Sequence, residues 1–446
     1  MFAMSEEKFD AIVVGAGFAG ISAAITMAKA GMNVVVLEKG EKPGSKNVIG
    51  GILYRHYLED VVGDDWKQAP LERPIVEEQR WLMTPDAAIR VLGYKNLRNK
   101  DHNAHSWSVL RGKFDPWYAS KAEEAGAYVI PETVAEELLV RDGSVVGVRT
   151  GREGDLFGNV VIIATGIGLG ANLLERAHLK KPTKPNQVAL AVKEIMQLDP
   201  HLIEERFNCD PGEGASVECY GHATLGMAGF MFIYTNQDTL SVGGGALLSD
   251  FVRTNRSPNE LLEHFKTMTA IKPLLQGAET VEYSAKQIPE GRIRDMPKLY
   301  GNGYLVCGDA AMMSNPVHRE GGSLAMASGK MAGETALLAM NSGDFSERRL
   351  RDYQVRLNGS WVMADLLKYD KAVPLLEHNR RYLVKYPELL DRALDEFFRV
   401  DGVSKWTKER RILRMFRKEG GVRFLWDNLK ALWTMEGGRR RFTDSR

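Results

Sequence analysis

The chain has 446 residues, 44% of them apolar and 26% charged, enough to bury a large core divided among two or three structural units. Its 59 basic and 58 acidic residues leave a net charge of +1, which excludes a global field for nucleic acid or an acidic polymer and makes any charge argument local. Cys209, Cys219 and Cys307 are the only cysteines, with no CxxC pair and no histidine cluster beside them, which supports neither a disulfide framework nor a zinc site and excludes a 4Fe-4S cluster held by four thiolates of this chain alone.

The amino end carries Glu6, Glu7 and Asp10 rather than the basic-then-apolar order of a secretory signal. No apolar run approaches the roughly 20 residues that cross a bilayer. The expectation is a cytoplasmic protein whose membrane association is at most peripheral. Phe9 to Val14 reads as a buried strand, Gly17 to Ala30 as a helix of small residues, and Asn33 to Leu37 as the next strand. That βαβ unit calls for a parallel sheet covered by helices, and the fold class is α/β. Glu137 to Val140 and Val145 to Arg149 alternate around Arg141-Asp142-Gly143-Ser144, a hairpin signal. Val160 to Ile163 returns to the parallel sheet and breaks at Ala164-Thr165-Gly166. Short runs between about 186 and 290, such as Phe230 to Thr235 and Thr239 to Gly243, predict an antiparallel sheet. Tyr304 to Cys307 is a further apolar strand, followed by a helix rich in Ala, Gly and Met from about Gly322 to Met340. Helix-forming composition dominates from about 356. The expected organisation is a discontinuous nucleotide-binding domain (1–75, 105–185, 291–355), a substrate-side domain (76–104, 186–290) and a helical carboxy-terminal region (356–446).

Gly15-Ala16-Gly17-Phe18-Ala19-Gly20 fits G-x-G-x-x-G between a strand and a helix, where the glycines permit a tight turn, close approach of a pyrophosphate and close helix packing. The helix amino terminus adds partial positive charge, and Glu38, ending the second strand, can accept bonds from ribose hydroxyls. On that evidence NAD and FAD both remain open. FAD is favoured by Tyr304-Leu305-Val306-Cys307-Gly308-Asp309-Ala310-Ala311, in which a carboxylate at a strand end can bind the ribityl chain that only a flavin possesses.

These two motifs together resemble the glutathione-reductase-type flavoproteins and, within them, the p-hydroxybenzoate-hydroxylase-like fold. The resemblance implies a Rossmann-like FAD-binding domain, an antiparallel substrate or quinone domain, and FAD contacts from Phe18, Ala19, Lys39, Val134, Ala164, Thr165 and Gly166. It further implies that Arg111, in Val-Leu-Arg-Gly-Lys-Phe-Asp, approaches the FAD phosphates. Gly44-Ser45-Lys46-Asn47-Val48-Ile49-Gly50-Gly51, Phe232-Ile233-Tyr234-Thr235-Asn236, Ile288-Pro289-Glu290-Gly291 and Lys385-Tyr386-Pro387-Glu388-Leu389 narrow it to the FixC and electron-transfer-flavoprotein:quinone oxidoreductase family. Membership places Lys46, Asn47, Gly50, Gly51, Gly321, Gly322 and Ser323 near the flavin ring, and Gly229 with the strand after it as a quinone wall. No catalytic residue is assigned; His318 is the nearest sequence candidate for a proton carrier because imidazole titrates near neutrality.

The resemblance also implies partners: the alpha and beta subunits of an electron-transfer flavoprotein, a small ferredoxin-like subunit bearing the 4Fe-4S cluster this chain lacks, and a membrane quinone. In some complexes of this family the flavoprotein partner bifurcates electrons from NADH, and the subunits present decide whether that happens. Lys405 to Arg446 contains 13 Lys or Arg against five Asp or Glu, interleaved with Trp406, Phe416, Phe424, Trp426 and Trp433. Such a tail suits the cytoplasmic face of an anionic membrane, an acidic partner subunit, or a solvated helical face, but not nucleic acid in this fold. Two other activities compete with electron transfer to quinone: a geranylgeranyl reductase of the same fold, which would saturate isoprenoid double bonds, and an assembly subunit in which FAD is structural only.

Overall fold

The computed structural model describes residues 8–45, 51–168 and 172–443. The chain divides into two units. The first takes the chain up to Pro74, then Arg98–Val188 and Ser284–Leu366; the second takes Ile75–Leu97, Ala189–Tyr283 and the chain from Leu367. The helical region expected from 356 therefore forms no unit of its own. Ile288-Pro289-Glu290-Gly291, whose first three residues the sequence boundaries place on the substrate side, belongs to the first unit, where Glu290 N–H donates to Gln187 O (2.8 Å).

In the first unit β1 (Lys8–Val14) runs parallel to β2 (Val34–Leu37) and to β4 (Gly154–Ile163), β2 to β3 (Tyr128–Ile130), and β4 to β5 (Tyr304–Val306). Continuous Val, Ile and Leu runs form these strands because a parallel sheet is covered on both faces, and β2 is buried at every position. α1 (Phe18–Ala28) is buried along almost its whole length, which its Ala and Gly content permits. The expected hairpin forms from Ala135–Arg141 and Ser144–Thr150, with Asp142 and Gly143 both at positive φ (49° and 73°) as a two-residue primed turn requires. α2 is Arg111–Glu124, and α3 (Gly322–Ser342) contacts α1.

In the second unit Val188–Gln197, Thr239–Leu247, Gly229–Thr235 and Gly214–Gly221 pair antiparallel in that order. The all-antiparallel expectation needs one correction: Gly214–Gly221 lies parallel to the strand Leu71–Met83 from Ile75 onward. Hairpin signals fix only pairings between chain neighbours, and this partner arrives from more than 130 residues upstream. Val217, Met231, Ile233, Val242 and Phe265 are core residues of this unit. Three further helices close its chain: α4 (Lys385–Phe398), α5 (Lys405–Met415) and α6 (Gly421–Thr443).

Candidate functional site

The amino-terminal turn is closed by backbone contacts. Gly15 has φ +109°, its N–H donates to Leu37 O (2.8 Å), and a Cβ there would lie 2.4 Å from Ala164 O, so only glycine fits between the loop and Ala164. Gly17 then caps α1 with extended backbone, no side-chain bond and no acidic residue in the first turn. The uncapped amino end of an 11-residue helix, with its partial positive charge, suits a pyrophosphate.

Glu38 is buried, and both carboxylate oxygens are engaged: Ala16 N–H donates to Oε2 (3.1 Å) and Gly40 N–H to Oε1 (2.7 Å). The carboxylate thus ties the glycine loop to the end of β2, and each oxygen keeps a lone pair for a ribose hydroxyl. Thr133 N–H donates to Glu38 O (2.8 Å), which brings the exposed Val134 to the same corner; Lys39 is exposed beside it. Ala164 N–H donates to Val14 O (3.0 Å), and Thr165 and Gly166 follow, half-buried.

Arg111 opens α2. Its guanidinium lies 3.6 Å from the centroid of the Phe18 ring and makes a two-pronged bond to Asp115, Nε to Oδ1 at 2.6 Å and Nη2 to Oδ2 at 2.8 Å. Stacked and forked, the cation is fixed beside the first residue of α1 rather than free on the surface. The Gly40–Ser45 loop folds back on this helix, with Gly44 against Arg111 O and Asp115. Lys46, Asn47 and Gly50 lie outside the described residues. Gly51 is buried, and its carbonyl accepts from Val109 N–H (2.9 Å).

The second motif meets the first. β5 ends in the turn Gly308–Ala311, where Gly308 lies against Ala19 and donates its N–H to Ser328 Oγ (3.1 Å), leaving Asp309 half-buried. α3 starts at Gly322, which touches the Phe18 ring, with Gly321 as an N-cap making no side-chain bond and Ser323 buried. A Cβ on Gly329 would fall 2.0 Å from Ala19 O, so the two helix backbones touch. Residues about 290 apart in the chain therefore form one cradle with two uncapped helix ends, one basic group and one carboxylate at a strand end. The residues present fit FAD.

Two residues of this unit were given no role by the sequence reading. Glu290 sits before Gly291, which packs on Met312 at the end of the Asp309 turn. Glu290 Oε2 is enclosed without a hydrogen-bond partner among the described residues, and burial, reinforced by the charge of Asp309, pushes the carboxyl up to about 8. Lys286 is drawn below its usual range by burial, with Asp309 opposing and Arg111 adding to the shift. A Pro-Glu-Gly turn carries no signal of burial. His318, by contrast, is exposed, and it is its backbone carbonyl that accepts from Tyr54 OH (3.1 Å). In the second unit a Cβ on Gly229 would lie 1.9 Å from Gly245 O, which gives that glycine a strand-packing reason. Burial raises the Cys219 thiol well above its ordinary value and pushes Cys307 up to about 12, so both stay protonated at neutral pH.

Comparison with known proteins gives this cradle a lineage. Residues 10–76 match the FAD binding domain, and residues 372–435 match the ETF-QO/FixC family C-terminal domain. Protein FixC of Bradyrhizobium diazoefficiens is 44% identical over 420 residues, 93% of this chain and 96% of that protein. The chain belongs to the ETF-QO/FixC family. Protein FixC of Escherichia coli K12 is a further relative, 39% identical over 96% of this chain and 99% of its own length. Among solved structures this ETF-QO/FixC chain is similar to a geranylgeranyl bacteriochlorophyll reductase-like protein of Thermoplasma acidophilum (TM-score 0.70, 20% identity, 93% of this chain and 96% of that one). It is also similar to a flavin-dependent brominase (TM-score 0.62, 16% identity, 92% and 100%). These two likenesses establish a fold shared with other flavoproteins. The ETF-QO/FixC chain is thus an FAD-binding oxidoreductase with an α/β cofactor unit and a helical carboxy-terminal region. No described helix is long and apolar enough to cross a membrane.

Proposed function

We propose that this chain is the FAD-bearing subunit of a Fix-type complex, receiving electrons from an electron-transfer flavoprotein through a small ferredoxin-like subunit and passing them to a quinone. The observation that supports this reading is the meeting of the Gly15–Gly20 and Gly308–Asp309 turns in a chain similar to FixC over more than nine tenths of its length. FAD, when bound, supplies the exchange between one-electron and two-electron carriers. The chain's own residues bind and orient it. The amino end of α1 and Arg111 take the phosphates, Glu38 the adenosine ribose and Asp309 the ribityl chain, while the uncapped start of α3 offers amides to developing negative charge. The three cysteines support a cluster carried by a separate subunit: Cys307 lies in the first unit and Cys209 and Cys219 in the second, with Cys219 and Cys307 held as thiols.

Anaerobic mixing of the FAD-loaded chain with the reduced ferredoxin-like subunit and a quinone analogue tests this. Flavin absorbance should bleach and then recover as quinol forms. No flavin turnover with any reduced partner, or hydrogenated isoprenoid lipid as the product, would overturn the proposal.

A further inference from the structure

From Ser284 onward the strand Glu279–Pro289 belongs to the cofactor unit, and Glu290 is the residue that follows it. Glu290 N–H donates to Gln187 O (2.8 Å), which holds the extended course past Pro289. Side chains four apart on extended backbone point to the same side, so Lys286 and Glu290 share one face of this segment. Burial dominates the proton affinity of both, and Asp309 acts on both. Lys286 also lies within the field of Arg111, Asp115 and Lys39, the charged groups at the phosphate end of the cradle. The shared face therefore looks into the cradle from a third segment of the chain.

Backbone packing holds Glu290 against the Asp309 turn. A Cβ on Gly291 would meet Met312 Sδ at 3.2 Å and Asp295 Cβ at 3.4 Å, and Met312 N–H donates back to Asp309 O (3.0 Å). Glu290 Oε2 is enclosed there and meets no hydrogen-bond partner among the described residues. Shut in beside a second carboxylate, the group keeps its proton: burial first, then Asp309, set its ionisation at about 8. The other charged groups around it are Lys286 on the same segment, Arg292 and Asp295 in the turn that follows, and the exposed Lys184 of the turn that supplies Gln187.

We propose that Glu290 is a cofactor-binding residue, the hydrogen-bond donor that completes the ribityl end of the FAD cradle beside the acceptor Asp309. A ribityl hydroxyl both donates and accepts, whereas the Asp309 carboxylate only accepts, so the hydroxyl oxygens need a donor from elsewhere. A neutral carboxyl supplies one without adding negative charge next to a cofactor whose pyrophosphate is already anionic. Two acidic residues on one turn thus take opposite roles, set by enclosure of one of them. Ionising Glu290 removes the donor and places a second negative charge beside Asp309. FAD affinity is therefore full below the inflection near 8 and falls above it, and from pH 7 to 9 the dissociation constant should rise about tenfold. This rests on FAD binding alone and is independent of which partners supply or take the electrons.

The test dilutes the full FAD-loaded chain into buffers from pH 6.5 to 9.5 and reads released FAD from its recovered fluorescence. Wild type should lose about tenfold in affinity between pH 7 and 9. Glu290→Gln keeps a donor but has no proton to lose, so its affinity at pH 7 should stay within about twofold of wild type and its pH profile should be flat. Glu290→Ala should bind FAD about tenfold more weakly at pH 7, also without the slope. A flat wild-type profile, a slope that persists in Glu290→Gln, or wild-type affinity in Glu290→Ala would overturn the proposal. So would a slope that survives Glu290→Gln and disappears in Lys286→Gln, which assigns the titration to the lysine. If Glu290→Ala fails to fold, the wild-type and Glu290→Gln profiles decide alone. A chain with the expected profiles whose flavin turns over with no reduced partner would count against the electron-transfer reading and leave this one standing.

Discussion

Replacing Glu290 with Gln should stabilise the protein above pH 7 and flatten its pH dependence. In the folded chain the Glu290 carboxyl is raised from 4.5 to about 8; in the unfolded chain it returns to the ordinary value. Between those two values the native state holds a proton that the unfolded state has released, so stability falls as pH rises through this window and levels off above about 8. Below about 4.5 both states are protonated and the effect vanishes. A displacement of about 3.5 units at 1.36 kcal/mol each sets a ceiling of about 5 kcal/mol. The side chain is only partly buried as a whole, and local relaxation with water entry brings the measurable difference at pH 8 to about 1–2 kcal/mol, or roughly 2–4 °C in Tm. Melting curves of wild type and E290Q from pH 5 to 9 should converge at the acid end and separate toward pH 8, the variant being the more stable. The infrared carbonyl stretch of a protonated carboxylic acid should be present at pH 7 in wild type and missing from E290Q. Parallel melting curves, or a wild-type spectrum showing only carboxylate, would refute the reasoning.

Gly329→Ala drives a methyl group into Ala19 O, and the required backbone shift should cost about 1–3 kcal/mol and lower the FAD content of the purified protein, read from the ratio of flavin to protein absorbance. Arg111→Lys keeps the charge but loses both the fork to Asp115 and the stack on Phe18, and should weaken FAD binding about tenfold in a fluorescence titration of the apoprotein. Asp427→Asn removes the charge that holds Arg381 and should free α6. Limited proteolysis should then cut near residue 420 while the flavin spectrum stays native. In wild type the stability contributed by Asp427 is present above about pH 4 and is lost as pH falls toward 2.

Much of the cofactor unit was legible because its chemistry demands particular residues at short spacing. The Gly15 turn needs positive φ, and the Asp142-Gly143 hairpin needs it at two successive positions, so the sequence states the backbone almost directly. What could not be read depends on distant partners. Glu290 owes its raised proton affinity to enclosure and to Asp309, and Gly214–Gly221 owes its direction to a strand from far upstream. In the tail, composition reveals that charge and aromatics mix. Only the structure reveals that Phe424 packs inward on Tyr386, on the side of α6 where Asp427 is bonded, while Trp426 and Trp433 turn outward. For His318, closeness in sequence to the Asp309 turn tells nothing of exposure, and the structure leaves the residue exposed.

The backbone contact between α1 and α3 has a consequence for biogenesis. The glycine loop is made well before α3, and its helix, though α2 can pack on it through Arg111 and Phe114, lacks its close backbone partner until Gly329 has emerged about 300 residues later. Flavin loading should therefore wait for α3. A chain stopped anywhere before α3 would carry an intact dinucleotide fingerprint and still be colourless.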